Sequence, residues 1–245
     1  MNVVIRSTAE EANAAAADLL THWLAAPDVR NVMLAAGNTP LELYRLIRER
    51  KLPLKHLHLF ALDEYVGVPP DEPRNCANLL RRTAVEPWGV SLSRYYSISS
   101  VESEALASVQ QHERRIEESG GLDAVILGLG QNGHLGFNEP GSAEDCGARV
   151  LDLDPISTEA NRKWFSGDYA PSRGVTVGLK TILPARRVLV MAYGAHKTDA
   201  VRAMLAGPSS SDCPASLLQG HREAHVFLDE AAAAGLNTLR AERAT

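Results

Sequence analysis

The chain of 245 residues has few cysteines, few aromatic side chains and no long apolar run. Its three cysteines, Cys76, Cys146 and Cys213, are far apart, so neither a disulfide framework nor a Cys-x-x-Cys metal pair is predicted. No stretch approaches the roughly 18 unbroken apolar residues that a membrane span needs. The segment Met1–Arg6 lacks the charged start and apolar core of a secretory signal. These absences predict a cytoplasmic protein with no membrane partner.

The chain also lacks an excess of positive charge. Its 25 Lys and Arg side chains are outnumbered by 30 Asp and Glu, which gives a formal net charge of −5. With no basic patch or helix-turn-helix pattern, no nucleic-acid partner is expected. The 45% apolar and 22% charged residues are typical of a globular protein, and the length suits one large domain over residues 1–245.

Short apolar runs alternate with helical periodicity, which favours an α/β fold: a mostly parallel, doubly wound (Rossmann-like) sheet with helices on both faces. The predicted strands are Val3–Ile5, Asn31–Ala36, His58–Leu62, Leu122–Leu127, Arg149–Leu151, Gly174–Val177, Val188–Ala192 and Ala224–Leu228. The predicted helices are Ser7–Leu24 with a Ser7–Glu10 capping box, Pro40–Arg50, Asn75–Glu86, Glu102–Ser119, Thr158–Phe165, Lys197–Leu205 and Ala215–Leu218.

Polar or glycine-rich turns follow three of these strands, and ligands of open α/β sheets bind where such turns meet. In the first turn, Gly37 allows a close backbone approach, Asn38 follows, and Thr39 is expected to cap a helix whose free N–H groups suit a phosphate. The second turn holds Asp63 and Glu64, and a carboxylate at a strand end can serve as a general base. Ordinary capping and surface roles remain the alternatives for both turns.

The third turn begins Gly128-Leu-Gly130-Gln-Asn-Gly133 and fits the dinucleotide fingerprint G-x-G-x-x-G. A nicotinamide-dependent oxidoreductase is disfavoured, because Gly136 and Pro140 interrupt the helix that this motif must open. A bound dinucleotide is therefore not expected.

The same turn continues to His134 and Glu139, an imidazole that can move protons near neutrality and a carboxylate that can orient it. No His or Cys cluster accompanies them, so no metal is predicted. Lys197, which is expected to open a later helix, could supply a second contact to a phosphate.

Together these segments resemble the glucosamine-6-phosphate deaminase (isomerase) family, which shares its fold with the 6-phosphogluconolactonases. The similarity spans nearly the whole chain, and its motifs are Gly37–Pro40, Leu62–Gly67, Gly128–Pro140, Thr176–Gly178 and Gly194–Lys197. The Gly136-Phe-Asn-Glu-Pro140 sequence is typical of the deaminases, whereas lactonases have a different stretch after the Gly-His pair.

The resemblance implies conversion of glucosamine 6-phosphate and water into fructose 6-phosphate and ammonia, without a metal or organic cofactor. It implies that Asp63 is the base that moves the proton from C2 to C1. It also implies that His134 opens the sugar ring and that Glu139 holds the imidazole. Asn132 stands where many relatives have Asp, so the expected proton relay has two members, His134 and Glu139. The implied substrate-binding residues are Gly37, Asn38, Thr39, Glu64, Gly128, Gly130, Arg162, Lys163 and Lys197.

Two of these positions depart from the family pattern, and at the first of them Asn38 replaces the second glycine of the phosphate-binding turn. Lys163, with Arg162 beside it, occupies the place of the family's phosphate-binding arginine, which puts phosphate affinity or substrate identity in question. A galactosamine 6-phosphate deaminase, a 6-phosphogluconolactonase and a non-catalytic sugar-phosphate-binding module remain alternatives. The chain is expected to be a monomer or a small homo-oligomer.

Overall fold

The computed structural model describes residues 1–242. Its strands in that range are β1 (Asn2–Arg6), β2 (Asn31–Leu34), β3 (His58–Ala61), β4 (Asp63–Tyr65), β5 (Tyr95–Tyr96), β6 (Ala124–Gly128), β7 (Arg149–Asp152), β8 (Arg173–Thr176), β9 (Val188–Ala192) and β10 (Ala224–Asp229). Its α-helices are α1 (Ala9–Ala25), α2 (Leu41–Glu49), α3 (Cys76–Leu80), α4 (Glu102–Glu118), α5 (Pro155–Trp164), α6 (Leu179–Ile182), α7 (Thr198–Ala206) and α8 (Glu230–Glu242). None of the helices in this range is long and apolar enough to cross a membrane.

Seven strands form the central sheet in the order β1-β10-β9-β6-β2-β3-β5. Every neighbouring pair in it is parallel, which confirms the predicted mostly parallel α/β fold. The chain builds outward from β2 through β3 to β5, and then crosses back to β6 on the other side of β2. The strand order therefore reverses between β2 and β6, and the carboxyl ends of two such strands are the usual place for a ligand.

The sheet is covered on both faces because alternate residues of a strand point to opposite sides. In β6, Val125 and Leu127 join one hydrophobic core, whereas Ala124 and Ile126 join the other. All four residues are fully buried. This pattern is typical of a parallel sheet with helices on both faces.

A second, three-stranded sheet has the order β4-β8-β7 and is antiparallel. The predicted strands Arg149–Leu151 and Gly174–Val177 belong to this sheet, which was not itself predicted. The chain passes directly from β3 into β4, and Leu62 at the junction bonds to both layers: its N–H donates to Leu34 and its carbonyl accepts from Val177. Asp63 therefore lies where the two sheets meet.

Two predicted helix caps were wrong. Helix α1 is capped by Thr8, whose hydroxyl accepts from the Glu11 N–H, so the capping pair lies one residue beyond Ser7 and Glu10. Helix α2 is preceded by Pro40, with no side-chain cap. Thr39 is thus not a cap, which leaves its hydroxyl available to a ligand.

Other predicted boundaries also change. The Asn75–Glu86 helix is in fact α3 followed by a π-helical turn at Arg81–Val85. Helix α5 starts three residues before Thr158, because Asp154 caps it by accepting from the Ile156 N–H. The short strands β4 and β5 and the helices α6 and α8 were not predicted.

Candidate active site

A cleft of about 290 Å³ lies at the carboxyl ends of β2 and β6. It is enclosed by the turns after β2, β3 and β6, by one face of α5 and by the turn before α7. The predicted site residues that line it are Gly37, Asn38, Thr39, Asp63, Gly128, Gly130, His134 and Lys197. Its volume is close to the lower end of the range of about 300 to 1,000 Å³ common for small-ligand sites.

A larger groove of about 600 Å³ lies elsewhere, between α4 and α6. Its main charged groups are already occupied: Glu113 accepts from the N–H groups of Ala148 and Gly178, and it pairs with Lys180. No histidine is among the described residues that line this groove, and its Glu113 is already bonded, so the smaller cleft is the candidate active site.

Asp63 is the buried carboxyl of the cleft, with 8% of its surface exposed. Burial, reinforced by the nearby charge of Glu64, raises the pKa of Asp63 to about 7, although a hydrogen bond from Cys76 opposes the rise. Gly136 packs against it, since a Cβ there would lie 3.3 Å from Asp63 Oδ2 and 2.9 Å from Thr176 Oγ1. A carboxyl with this pKa can both accept and return a proton near neutral pH.

Glu64 does not line the cleft, so the expectation that it contacts substrate is not supported. Its carboxylate is almost fully buried and accepts from the N–H groups of Tyr65 at 2.8 Å, Cys76 at 3.1 Å and Ala77 at 2.9 Å. Burial raises the pKa of Glu64, and these three donors oppose the rise. Glu64 thereby ties the start of α3 to β4 and holds the backbone beside Asp63.

His134 and Glu139 form the expected pair, with 3.1 Å between His134 Nδ1 and Glu139 Oε2. Burial favours a raised pKa for Glu139, but hydrogen bonds from His134, Ser157 and Asn132 outweigh it and hold that pKa at about 2. The ionised carboxylate accepts the Nδ1 proton, so Nε2 is the ring nitrogen left to act on a ligand. Gly130 makes room for this ring, because any Cβ at that position would collide with it.

Asn132 supports the pair without touching the imidazole ring. Its Nδ2 donates to Glu139 Oε2 at 2.7 Å, and its Oδ1 accepts from the His134 backbone N–H at 3.3 Å. The predicted dyad of His134 and Glu139 therefore has a neutral amide as a third member. Within residues 1–242, no three His, Cys, Asp or Glu side chains are grouped so that they could hold a metal ion.

The opposite part of the cleft combines a glycine-containing turn with a cation. Gly37 adopts a φ of +101°, which favours glycine, and Asn38 and Thr39 follow it along the wall. Lys197 donates from Nζ to the Leu129 carbonyl at 2.6 Å. Burial lowers the pKa of Lys197 to about 8, so the ammonium is mostly charged at neutral pH. This arrangement suits a phosphate group.

Arg162 and Lys163 lie outside the cleft, contrary to expectation. Their side chains are 63% and 76% exposed, and both pair with Glu159 on the outer side of α5. The face of α5 toward the cleft is instead formed by Ile156, Ser157, Ala160, Asn161 and Trp164. The spacing of 157, 160, 161 and 164 is that of one helix face, a signal in the sequence that could have identified these residues.

His196 also lines the cleft and was not predicted. It precedes Lys197 in a 3-10 turn, and α7 begins only at Thr198. Burial, followed by the charge of Lys197, lowers the pKa of His196. Its position after β9, in the same turn as the expected lysine, was the available signal.

The sequence and the fold were compared with known proteins. Residues 5–227 match the model of the family described as glucosamine-6-phosphate isomerases/6-phosphogluconolactonase. This chain belongs to that family. It is 38% identical to a glucosamine-6-phosphate deaminase of Cutibacterium acnes over 96% of this chain and 92% of the relative. A deaminase of Streptomyces coelicolor is 34% identical over 96% and 93%, respectively.

Solved structures of the isomerase/lactonase family agree. A monomeric glucosamine-6-phosphate deaminase superposes with a TM-score of 0.91 and 30% identity, covering 96% of this chain and all of the other. The 6-phosphogluconolactonase of Trypanosoma brucei gives a TM-score of 0.78 at 21% identity, over 96% and 98% of the two chains. The second match shows a shared fold only. Membership confirms the resemblance stated from the motifs.

Proposed function

We propose that this chain is a glucosamine-6-phosphate deaminase: it converts glucosamine 6-phosphate and water into fructose 6-phosphate and ammonia. The observation that supports this most strongly is one cleft that holds both a buried carboxyl, Asp63, and the ring of His134 with its partner Glu139. An aldose–ketose isomerisation needs one group to open the sugar ring and another to move a carbon-bound proton. The relatives at 34–38% identity named above bear the same activity in their names.

In this proposal the phosphate binds at Gly37, Asn38, Thr39 and Lys197. The backbone of the turn after β2 can approach the anion closely, and the ammonium of Lys197 balances part of its charge. The sugar then extends along the cleft past Gly128 and Gly130 toward His134. Binding through the phosphate holds the reacting carbons beside Asp63. The proton transfer between substrate and carboxylate is then effectively unimolecular.

Ring opening is assigned to His134. Its Nε2 takes the proton from the O1 hydroxyl and returns a proton to the ring oxygen O5 as the C1–O5 bond breaks, which gives the open-chain aldehyde. Glu139 keeps the imidazole oriented, and Asn132 holds Glu139 in place.

The carboxylate of Asp63 then removes the proton from C2 while the aldehyde oxygen O1 takes up a proton from the solvent, which gives an enolamine. The resulting carboxylic acid returns a proton to C1, and the electron pair moves to make a C2=N iminium. Water adds at C2 and releases one proton to the solvent, and ammonia leaves as the C2 carbonyl forms. A group with a pKa of about 7 suits both directions of the transfer.

A panel of phosphorylated substrates tests this function directly. We expect ammonia and fructose 6-phosphate from glucosamine 6-phosphate, with no acid release from 6-phosphogluconolactone. Preference for galactosamine 6-phosphate would make the chain a deaminase of the other epimer. Turnover of the lactone alone, or tight binding of a sugar phosphate without turnover, would contradict the proposal.

The acidic limb of the pH profile is a further prediction. Because Asp63 must be ionised to act as the base and its pKa is raised to about 7, kcat/KM is expected to fall tenfold per pH unit below about pH 7. An unshifted aspartate would place this limb near pH 4. Initial rates of ammonia release from pH 4.5 to 8.5 give the midpoint, and a limb near pH 4 would argue against Asp63 as the base.

A further inference from the structure

Helix α5 reaches the pair of His134 and Glu139 through one buried hydroxyl, that of Ser157. Ser157 is only 4% exposed, whereas the preceding Ile156 is 50% exposed. Ser157 Oγ lies 3.3 Å from His134 Nδ1, the same nitrogen that lies 3.1 Å from Glu139 Oε2. The hydroxyl therefore stands beside the hydrogen bond that orients the imidazole.

The three groups share their protons in one consistent way. Nδ1 carries one proton, and the ionised Glu139 is a stronger acceptor for it than a neutral hydroxyl. The hydroxyl of Ser157 can rotate, so it can donate to the same carboxylate while its oxygen stays near Nδ1. Ser157 thus restrains both groups: it donates a hydrogen bond to the Glu139 carboxylate, and its oxygen contacts the His134 ring.

One face of helix α5 lines the cleft. Ser157, Ala160, Asn161 and Trp164 lie on the face toward the cleft, so a bound sugar phosphate would touch the same face as the hydroxyl.

We propose that Ser157 is a positioning residue: it aligns His134 with Glu139 for ring opening. This inference rests on the function proposed above for the same site. Ser157 exchanges no proton with the substrate and acts only through His134 and Glu139.

Three variants of Ser157 separate the hydrogen bond from the volume of the side chain. Ser157→Ala removes the hydroxyl and Ser157→Cys fills the space with a weak donor, so kcat is expected to fall about three- to tenfold in both, as for one net hydrogen bond. Ser157→Thr keeps the hydroxyl and is expected to retain at least half of kcat. Thr158→Ala, which changes a neighbour outside the cleft, is the matched control and should match the wild type.

Binding of an acyclic substrate mimic distinguishes positioning from a merely structural role. A 2-amino-2-deoxyhexitol 6-phosphate has no ring to open, so its affinity, followed by calorimetry, should change less than twofold in Ser157→Ala. Wild-type kcat in both the Ala and Cys variants would overturn the proposal. An equal loss of kcat and mimic affinity, with Thr no better than Ala, would overturn it too, because α5 would then simply have lost its packing.

The proposal can fail independently of the proposed function. The ¹⁵N chemical shifts of the His134 ring, assigned by comparison with His134→Gln, report the hydrogen bond at Nδ1 without turnover. We expect the Nδ1 shift to move in Ser157→Ala and to stay in Thr158→Ala, even if wild-type protein released no ammonia from glucosamine 6-phosphate. An unchanged Nδ1 shift in Ser157→Ala would contradict the inference alone, and absent wild-type turnover would contradict the function alone.

Discussion

Asp63→Asn is expected to abolish exchange of the C2 hydrogen and to reduce ammonia release by about 10² to 10⁴-fold. The amide has nearly the shape of the carboxyl but cannot accept the proton, so the phosphate contacts at Thr39 and Lys197 are preserved. KM, or the affinity for an acyclic amino-sugar phosphate, should change less than about threefold, because the loss lies in the transition state. Proton NMR in D₂O and an ammonia assay measure the two effects.

Protein stability supplies a control for the Asp63 variant. Folding raises the pKa of this carboxyl from its ordinary value of 3.8 to about 7, so its ionisation destabilises the fold as the pH rises between those values. Asn has no charge to bury, and the variant should therefore melt at an equal or higher temperature than the wild type at pH 8. Asp71→Asn, at an exposed position in the following loop, should keep full activity. Full activity in Asp63→Asn would contradict the mechanism.

His134→Gln is expected to lower kcat by about 10² to 10⁴-fold, since the general acid–base for ring opening is lost. Glu139→Gln should lower kcat less, because the amide oxygen can still accept the hydrogen bond from Nδ1 that orients the ring, although more weakly than a carboxylate. The double variant should be little worse than His134→Gln alone, because Glu139 acts through the imidazole and the two effects do not add.

Two observations would contradict this assignment of His134. The first is a double variant whose loss equals the product of the two single losses, since independent action would then be shown. The second is wild-type turnover in His134→Gln. His22→Gln, at an exposed position on α1, is the matched control and should behave as the wild type.

The sequence predicted that the polar turns would meet, because the strands that precede them are parallel neighbours or near neighbours in one sheet. The reversal between β2 and β6 brings the turns of Gly37 and His134 to one edge of the sheet, as parallel strands require. The prediction of a strand at Arg149–Leu151 was right as local structure, but the separate three-stranded sheet that contains it was not predicted. Local apolar patterning identifies a strand without identifying its partner.

The residues that the structure places away from the cleft were inferred from their type, their spacing or the family resemblance, without the direction of each side chain. Neighbouring residues of a strand point to opposite faces, so Asp63 and Glu64 cannot both face the cleft. The same holds on α5, where Arg162 and Lys163 lie on the outer side and Ser157 on the inner. Thr39 was misassigned because a good cap sequence does not fix where the helix begins.

The most direct test follows the hydrogen at C2 of the substrate. With C2-deuterated glucosamine 6-phosphate, we expect a primary isotope effect on kcat/KM when proton transfer limits the rate, and fructose 6-phosphate whose former C2 deuterium is divided between C1 and the solvent. Asp63→Asn should give neither. Release of ammonia with the deuterium still on C2 of an aldose 6-phosphate would mean that the amine is displaced directly, and the account of Asp63 as a proton carrier would be contradicted.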